Sequence, residues 1–315
     1  METYDGSDKL GERARGCVMT IGNFDGLHLG HRALLDAVVE RARALGRAAA
    51  VYTFDRHPRR VLQPELHLPR LMSRGQMEHG LHEAGIDLLI VEPFTRELAE
   101  LEPAQFVEQV LVGRIGPAEL FVGRDFRFGH GRAGSDETLR SMLPASGVRV
   151  SVIPQVLVEG EDVSSTRIRR LLAEGRVEEV GRCLGRPYAV WGRVVQGDRR
   201  GRTLGFPTAN LAPENELLPA RGVYATTVQR IENGAPGATL QPAVTNVGTR
   251  PTFEPGRILV ETHLLDFDGD LYEQRISVAF HARVREERRF SGADELREQI
   301  RLDAARARAL LTEAR

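Results

Sequence analysis

The stretch CVMTIGNFDGLHLGHRA, residues 17–33, decides the first half of the chain. It reads as a short apolar strand, a turn on Gly22-Asn23-Phe24-Asp25-Gly26, and a helix opening at His28-Leu29-Gly30-His31. A helix N-terminus offers unpaired N–H groups and the positive end of a dipole, which together attract phosphate. His28 and His31 stand three apart, so both imidazoles lie on one helix face and can reach one phosphate. Gly30 between them lets a nucleotide come close to the backbone. Lys9 is the only lysine of the chain, so no Gly-rich loop ending in Lys-Ser/Thr can hold ATP. Phosphate charge must then be met by Arg, His, helix N-termini or a metal. Two surface histidines on a capped helix would give the same letters. The order strand, glycine turn, helix favours the nucleotide site.

The 315 residues suit two domains, each with its own core. No apolar run approaches the ~18 residues of a membrane span, and METYDGSDKLGERARG lacks the apolar stretch of a signal peptide. Residues 185–315 carry 19 Arg against 17 acidic residues, and residues 1–184 carry 24 Lys and Arg against 27, so neither half is basic enough to name nucleic acid as partner. Cys17 and Cys183 have no metal-type spacing and read as two buried thiols of a cytosolic protein.

Around the opening stretch, strand and helix signals alternate. Apolar runs at 17–21, 48–54, 87–92, 119–122 and 148–153 are separated by helical patterns at about 30–45, 74–84, 103–115 and 135–146. That alternation predicts an α/β, Rossmann-like domain with a parallel sheet. From about Leu184 strand patterns follow one another at 187–196, 222–230, 241–247, 257–265 and 275–284, with turn-forming clusters between them. They predict a small antiparallel β-barrel, and Ser291–Arg315 reads as one closing amphipathic helix. The boundary is expected near residues 182–187, after a polar tail over 1–15.

Further motifs carry chemistry. Ser164-Ser165-Thr166 precedes Arg167, Arg169 and Arg170 at a helix start. One hydroxyl suffices for a cap, so three with the arginines suggest a second anion site. Gly123-Arg124-Asp125-Phe126-Arg127-Phe128-Gly129 could stack a planar heterocycle, or be a loop pinned by two buried Phe; TFDRHP, from Thr53 to Pro58, reads either way too. Gly201, Arg202 and Gly205 surround a turn that could cover phosphates. Thr208 and Asn210, two apart in an extended segment, face one side and offer hard oxygens suited to Mg²⁺, although such a turn often holds no metal. Glu261 sits within a strand pattern, where it is either a solvated carboxylate or, beside a bound hydroxyl, a general base.

The elements GNFDGLHLGH, TFDRHP, VGRDFRFG, SSTRIR, GRTLGFPTANL, NVGTRPTF, VETH and DFDGDLY occur in this order. With them the chain, from about residue 16 to its end, resembles the bacterial bifunctional riboflavin kinase/FMN adenylyltransferase (FAD synthetase) family. The resemblance implies an adenylyltransferase domain over 16–184 and a flavokinase-like barrel over 185–315. It implies riboflavin, FMN and ATP as substrates, Mg²⁺ as cofactor, and a cytoplasmic enzyme acting on neither nucleic acid nor membrane; homo-oligomerisation it leaves open. Gly22, Asn23, Phe24, Asp25, Gly26, His28, Gly30 and His31 would hold one ATP, with Ser164, Ser165, Thr166 and Arg169 opposite. Phe54, Asp125 and Phe128 would neighbour the flavin. Gly201, Arg202, Gly205, Thr208 and Asn210 would bind the kinase ATP, Thr208 and Asn210 its metal, and Glu261 would be the base on the ribityl 5′-hydroxyl. Arg56 and Met77 depart from the family pattern, which commonly has Pro and Lys there.

Overall fold

The computed structural model describes residues 1–197, 205–249 and 258–313. The chain forms two compact units, Met1–Pro69 with Met77–Val163, and Arg70–Gln76 with Ser164–Arg315.

In the first unit six strands form one parallel sheet in the order β1-β4-β3-β2-β5-β6: β1 (Glu2–Asp5), β2 (Val18–Ile21), β3 (Ala49–Phe54), β4 (Leu88–Glu92), β5 (Glu119–Gly123) and β6 (Arg149–Ile153). Residues of β2 and β4 are buried along their whole length, as a parallel sheet covered on both faces requires. Around it lie α1 (Leu29–Ala44), α2 (Pro58–Leu62), α3 (Arg74–Glu83), α4 (Arg96–Glu100), α5 (Pro103–Gln105) and α6 (Asp136–Met142). The chain runs outward from β2 through β3 to β4, then returns to place β5 on the other side of β2. Crevices at the carboxyl ends of strands beside such a reversal are where open α/β sheets bind ligands.

Two differences from the sequence expectation have plain causes. Residues 1–15 are not simply a tail, because Glu2–Asp5 pairs with Leu88–Val91. This edge strand is mostly exposed and polar, so it shows no apolar run. The pattern over 103–115 is helical, but after α5 it continues as a π-helix over Phe106–Ile115. Its buried residues Phe106, Val107, Val110, Leu111 and Ile115 match the wider turn.

The strands β7 (Leu157–Val158) and β8 (Glu161–Asp162) form a hairpin. The second unit then opens with α7 (Ser165–Glu174) and α8 (Val177–Leu184). The strands β9 (Tyr188–Val195), β10 (Ala209–Pro213), β11 (Gly222–Glu232), β13 (Gln241–Thr249), β14 (Ile258–Leu264) and β15 (Arg275–Arg285) follow, with the two-residue β12 (Ala235–Pro236) flanking β11. The order β11-β13-β14-β10-β9-β15 closes on itself through β15 and β11, giving a six-stranded antiparallel barrel. Inside it the buried hydroxyls of Thr226, Thr245 and Thr262 form a chain at 2.8 and 3.0 Å, so each polar group is satisfied. The closing helix α9 (Ala293–Glu313) packs Ala307 and Leu311 against Val223, Ala225 and Val244. Its buried Asp303 is held by Arg285 of β15 at 2.8 Å. The strand β10 was hidden in the sequence by Asn210, Pro213 and the Pro207 before it, which read as a turn.

A strap from the first half of the chain belongs to this unit. Leu71 is fully buried, and its carbonyl accepts from the Tyr188 hydroxyl at 2.7 Å and from Asn215 Nδ2 at 3.1 Å. Gln76 Nε2 donates to the Ala189 carbonyl at 2.8 Å. Removing a buried leucine side chain costs about 2–5 kcal/mol. Leu71→Ala should therefore lower the hydrogen-exchange protection of β9 amides while β2 and β3 keep theirs. Equal protection of β9 in both proteins would show that the strap is dispensable.

Cys17 and Cys183 are both free and buried, as expected. Burial pushes the Cys17 thiol up to about 12, so it stays protonated and inert. No helix among the described residues is long and apolar enough to cross a membrane.

Candidate functional site

The turn after β2 is strained before it reaches the helix. Phe24 and Leu27 both have φ near +45°, in the left-handed region that non-glycine residues avoid. Phe24 pays for this by full burial, its ring 5.1 Å from that of His31. Asp25 and Gly26 complete the turn. Strain of this kind persists only where the surroundings over-determine it, and it clusters at binding sites.

His28 is the N-cap of α1. Its Nδ1 accepts from the His31 backbone N–H at 3.3 Å, so in the neutral ring the proton sits on Nε2. The rings of His28 and His31 stack with centroids 3.7 Å apart and planes 16° from parallel. Enclosure of the His31 ring, and then the neighbouring His28, hold its pKa well below the ordinary histidine value. Its Nδ1 is buried with no hydrogen-bond partner among the described residues. Two imidazoles at the positive end of a helix suit an incoming anion. At Gly30 a Cβ would lie 3.2 Å from Cε1 and Nδ1 of His28, so the glycine protects the imidazole's position as well as access to the backbone.

Beside this turn a cleft of about 810 Å³ opens at the carboxyl ends of the sheet. Gly22 and Asn23 line it after β2, Phe54 and His57 after β3, Phe94 after β4, and Asp125 to Arg132 after β5. Phe54, Asp125 and Phe128, all expected at a flavin site, thus border one cavity. Phe126 and Phe128 stack with centroids 5.6 Å apart, and Phe54 meets Phe94 edge-on at 5.2 Å. The two readings of the 123–129 loop are not exclusive, because Phe128 is buried and still contributes to the wall. Asp125 is bonded to Gln155. Asn23 Nδ2 approaches His57 Nε2 at 3.5 Å, tying the two loops together. Sequence reasoning left out Leu62, Phe94, Leu98 and Phe106, whose signal was only apolar residues shortly after a strand or at a helix start.

Ser164 caps α7 by accepting from the Arg167 backbone N–H at 3.2 Å, and Ser165, Thr166 and Arg169 lie in its first turns. This helix belongs to the second unit, whereas His28 and His31 belong to the first.

On the barrel, Asn210 of β10 stands opposite Glu261 of β14. Val260 and Thr262 are buried toward the interior, so Glu261 and Asn210 face outward. Thr208 precedes the strand by one residue. A side chain at Gly197 would collide with the Asn210 amide, which therefore needs the glycine. His263, two residues beyond Glu261, bonds through Nδ1 to the Pro207 carbonyl at 2.8 Å and fixes the segment that leads into β10. Gly205 adopts φ +87°. Gly201 and Arg202 lie outside the described residues. Among the described residues no cluster of three or more His, Cys, Asp or Glu could hold a metal. Hydroxyl and amide oxygens beside one carboxylate are a weaker set, suited to a hard cation that brings phosphate and water ligands with it.

Comparison with known proteins matches both halves. Residues 10–167 fit the family of FAD synthetase, and residues 184–311 that of riboflavin kinase. A bifunctional riboflavin kinase/FMN adenylyltransferase from Pseudomonas fluorescens is 40% identical over 98% of this chain and 98% of its own. The protein of that name from Escherichia coli (strain K12) is 38% identical over 93% and 92%, and that from Bacillus subtilis (strain 168) 33% over 92% and 91%. A crystal structure titled a macrolide-efflux protein from Streptococcus pneumoniae superposes with TM-score 0.87 at 29% identity, covering 98% of each chain.

Proposed function

The chain belongs to the bifunctional riboflavin kinase/FMN adenylyltransferase family, and we propose that His28, His31 and the first turn of α1 carry its adenylyl transfer while Thr208, Asn210 and Glu261 carry its phosphorylation. It is a riboflavin kinase and an FMN adenylyltransferase: ATP phosphorylates riboflavin to FMN, and a second ATP adenylylates FMN to FAD with release of pyrophosphate. We assign the second reaction to residues 16–184 and the first to residues 185–315. The observation that supports this division best is the stacked His28–His31 pair at a helix N-terminus, on the turn that also borders the aromatic cleft.

The FMN phosphate is a nucleophile at neutral pH, so adenylyl transfer needs alignment and charge stabilisation, not a base. The His28 Nε2–H and the free N–H groups of α1 would meet the charge that develops on the ATP phosphates. The turn residues Gly22 to Gly26 would shape the approach. Phe54, Phe128 and Asp125 would receive the flavin. The riboflavin hydroxyl is neutral, so phosphorylation does need a base, and we assign that role to Glu261, which faces outward opposite Asn210. Thr208 and Asn210 would hold Mg²⁺, which supplies charge neutralisation on the ATP phosphates.

Incubating the protein with riboflavin, ATP and Mg²⁺ and separating the flavins tests the reading. FAD is the expected product. FMN alone would confine the activity to the barrel, and no product would leave a protein that binds flavin without turnover. Gly30→Ala should press on the His28 ring and slow FMN-to-FAD conversion by up to about a hundredfold, the cost of a small misplacement at the reacting centre. Riboflavin phosphorylation by the same variant should stay at the parent rate.

A further inference from the structure

We infer that His263 of β14 is the positioning residue that sets the Thr208–Asn210 segment for riboflavin phosphorylation. The inference rests on Thr208 and Asn210 holding the kinase ATP and its metal. His263 Nδ1 lies 2.8 Å from the Pro207 carbonyl oxygen. A carbonyl only accepts, so Nδ1 carries the proton and donates it. Thr262 and Leu264 on either side are buried toward the barrel interior. That turns His263 to the outer face together with Glu261, about 7 Å from it along the strand.

The register explains why a side chain is needed there. The strand β10 pairs with β14 at Leu211 with Val260, Asn210 with Glu261 and Ala209 with Thr262, and the pairing ends there. Pro207 has no N–H with which to extend the ladder. The imidazole bonds its carbonyl instead, and the bond falls on the backbone angle that is still free. The proline ring fixes φ of Pro207 at about −65°, and the residue before a proline, here Phe206, is confined to extended conformations. What remains is ψ of Pro207, which turns its carbonyl and the Thr208 amide as one plane. A hydrogen bond on that carbonyl therefore aims Thr208. Phe206 adds to the clamp, its ring meeting that of His263 edge-on with centroids 5.4 Å apart and planes at 85°. His263 can act as a fixed point because its strand is held on several sides. It stands opposite Val244 of β13, and the hydroxyl of the adjacent Thr262 bonds that of Thr245 at 3.0 Å. Just past the strand, Arg308 of α9 donates to Asp266 at 2.8 Å. The strand β14 thus carries both the proposed base and the group that places the proposed ATP-binding segment.

The test uses the whole chain and asks which nitrogen matters. His263→Asn keeps an amide N–H at the place of Nδ1, whereas His263→Gln moves it out to the place of Nε2. His263→Phe keeps a ring against Phe206 and loses the donor. In His263→Gln and His263→Phe the KM for Mg-ATP in riboflavin phosphorylation should rise about tenfold, the effect of one lost hydrogen bond. The KM for riboflavin, and kcat at saturating Mg-ATP, should stay near the parent values. His263→Asn should remain within about threefold of the parent in every constant. Hydrogen exchange of the free protein gives a second readout. The amides of residues 209–211 should exchange faster in the Gln and Phe variants but not in His263→Asn, while those of β11 and β15 keep their protection. Conversion of supplied FMN to FAD should be unchanged in all three. A parent KM for Mg-ATP in His263→Gln, or a rise in His263→Asn as large as in His263→Gln, would overturn the inference. So would an equal rise in both KM values, which marks a general loosening of the barrel. Should His263→Phe not fold, the Gln and Asn variants decide by themselves. Thr208→Ala run alongside separates the premise: a parent KM for Mg-ATP there would show that the segment does not hold ATP, whatever His263 does.

Discussion

Glu261→Gln should lower riboflavin phosphorylation by about 10²–10⁴-fold, the usual contribution of a positioned general base. The amide keeps the shape of the carboxylate and its place opposite Asn210, but cannot take a proton. Flavin and ATP affinity should change little, so the loss falls on kcat. Adenylylation of supplied FMN should continue at the parent rate, because Glu261 lies on the barrel and the His28–His31 pair in the other unit. A parent-like rate of FMN formation would remove Glu261 from the chemistry.

The reciprocal experiment is His28→Ala or His31→Ala. Each removes a group from the place where phosphate charge develops, a loss typically worth about 2.7–4 kcal/mol, or a factor of about 10²–10³ in rate. FMN should then accumulate from riboflavin while FAD does not form. Undiminished FAD synthesis in both variants would reduce the motif to a helix cap. The two histidines should differ in stability. The folded-state pKa of His31 is depressed, so the folded chain takes up that proton less readily than the unfolded one. Its contribution to stability is complete above the ordinary histidine pKa and is lost as pH falls below it. In His31→Ala this acid-side decline should be shallower than in the parent, as thermal unfolding at a series of pH values would record.

The parallel sheet was legible in the sequence because β2 to β5 are buried on both faces, which demands unbroken apolar runs such as AAVYTF of β3 and LLIVE of β4. The barrel strands were legible from their alternation and from the turns between them. The strands β1 and β10 were not, since an exposed edge and a short Ala-Asn-Leu-Ala-Pro run leave no such trace. His28 with His31 and Thr208 with Asn210 stood out by their spacing, three and two residues apart, and Glu261 as a carboxylate within a strand pattern. The cleft walls did not, because their meaning lies in what the fold brings alongside. Leu62 and Phe106 become neighbours of one cavity only through sheet order.

The strap at residues 70–76 has a consequence for how such a protein can be made and divided. Leu71 emerges from the ribosome 117 residues ahead of Tyr188 and 144 ahead of Asn215, the two side chains that grip its carbonyl. Throughout that interval the Leu71-Met72 pair is without those partners. A gene cut after residue 184 would leave the barrel's Leu71 anchor on the other polypeptide. Separation into two enzymes would therefore require the barrel to evolve a substitute for Leu71 first, which gives the single chain a structural reason to stay single.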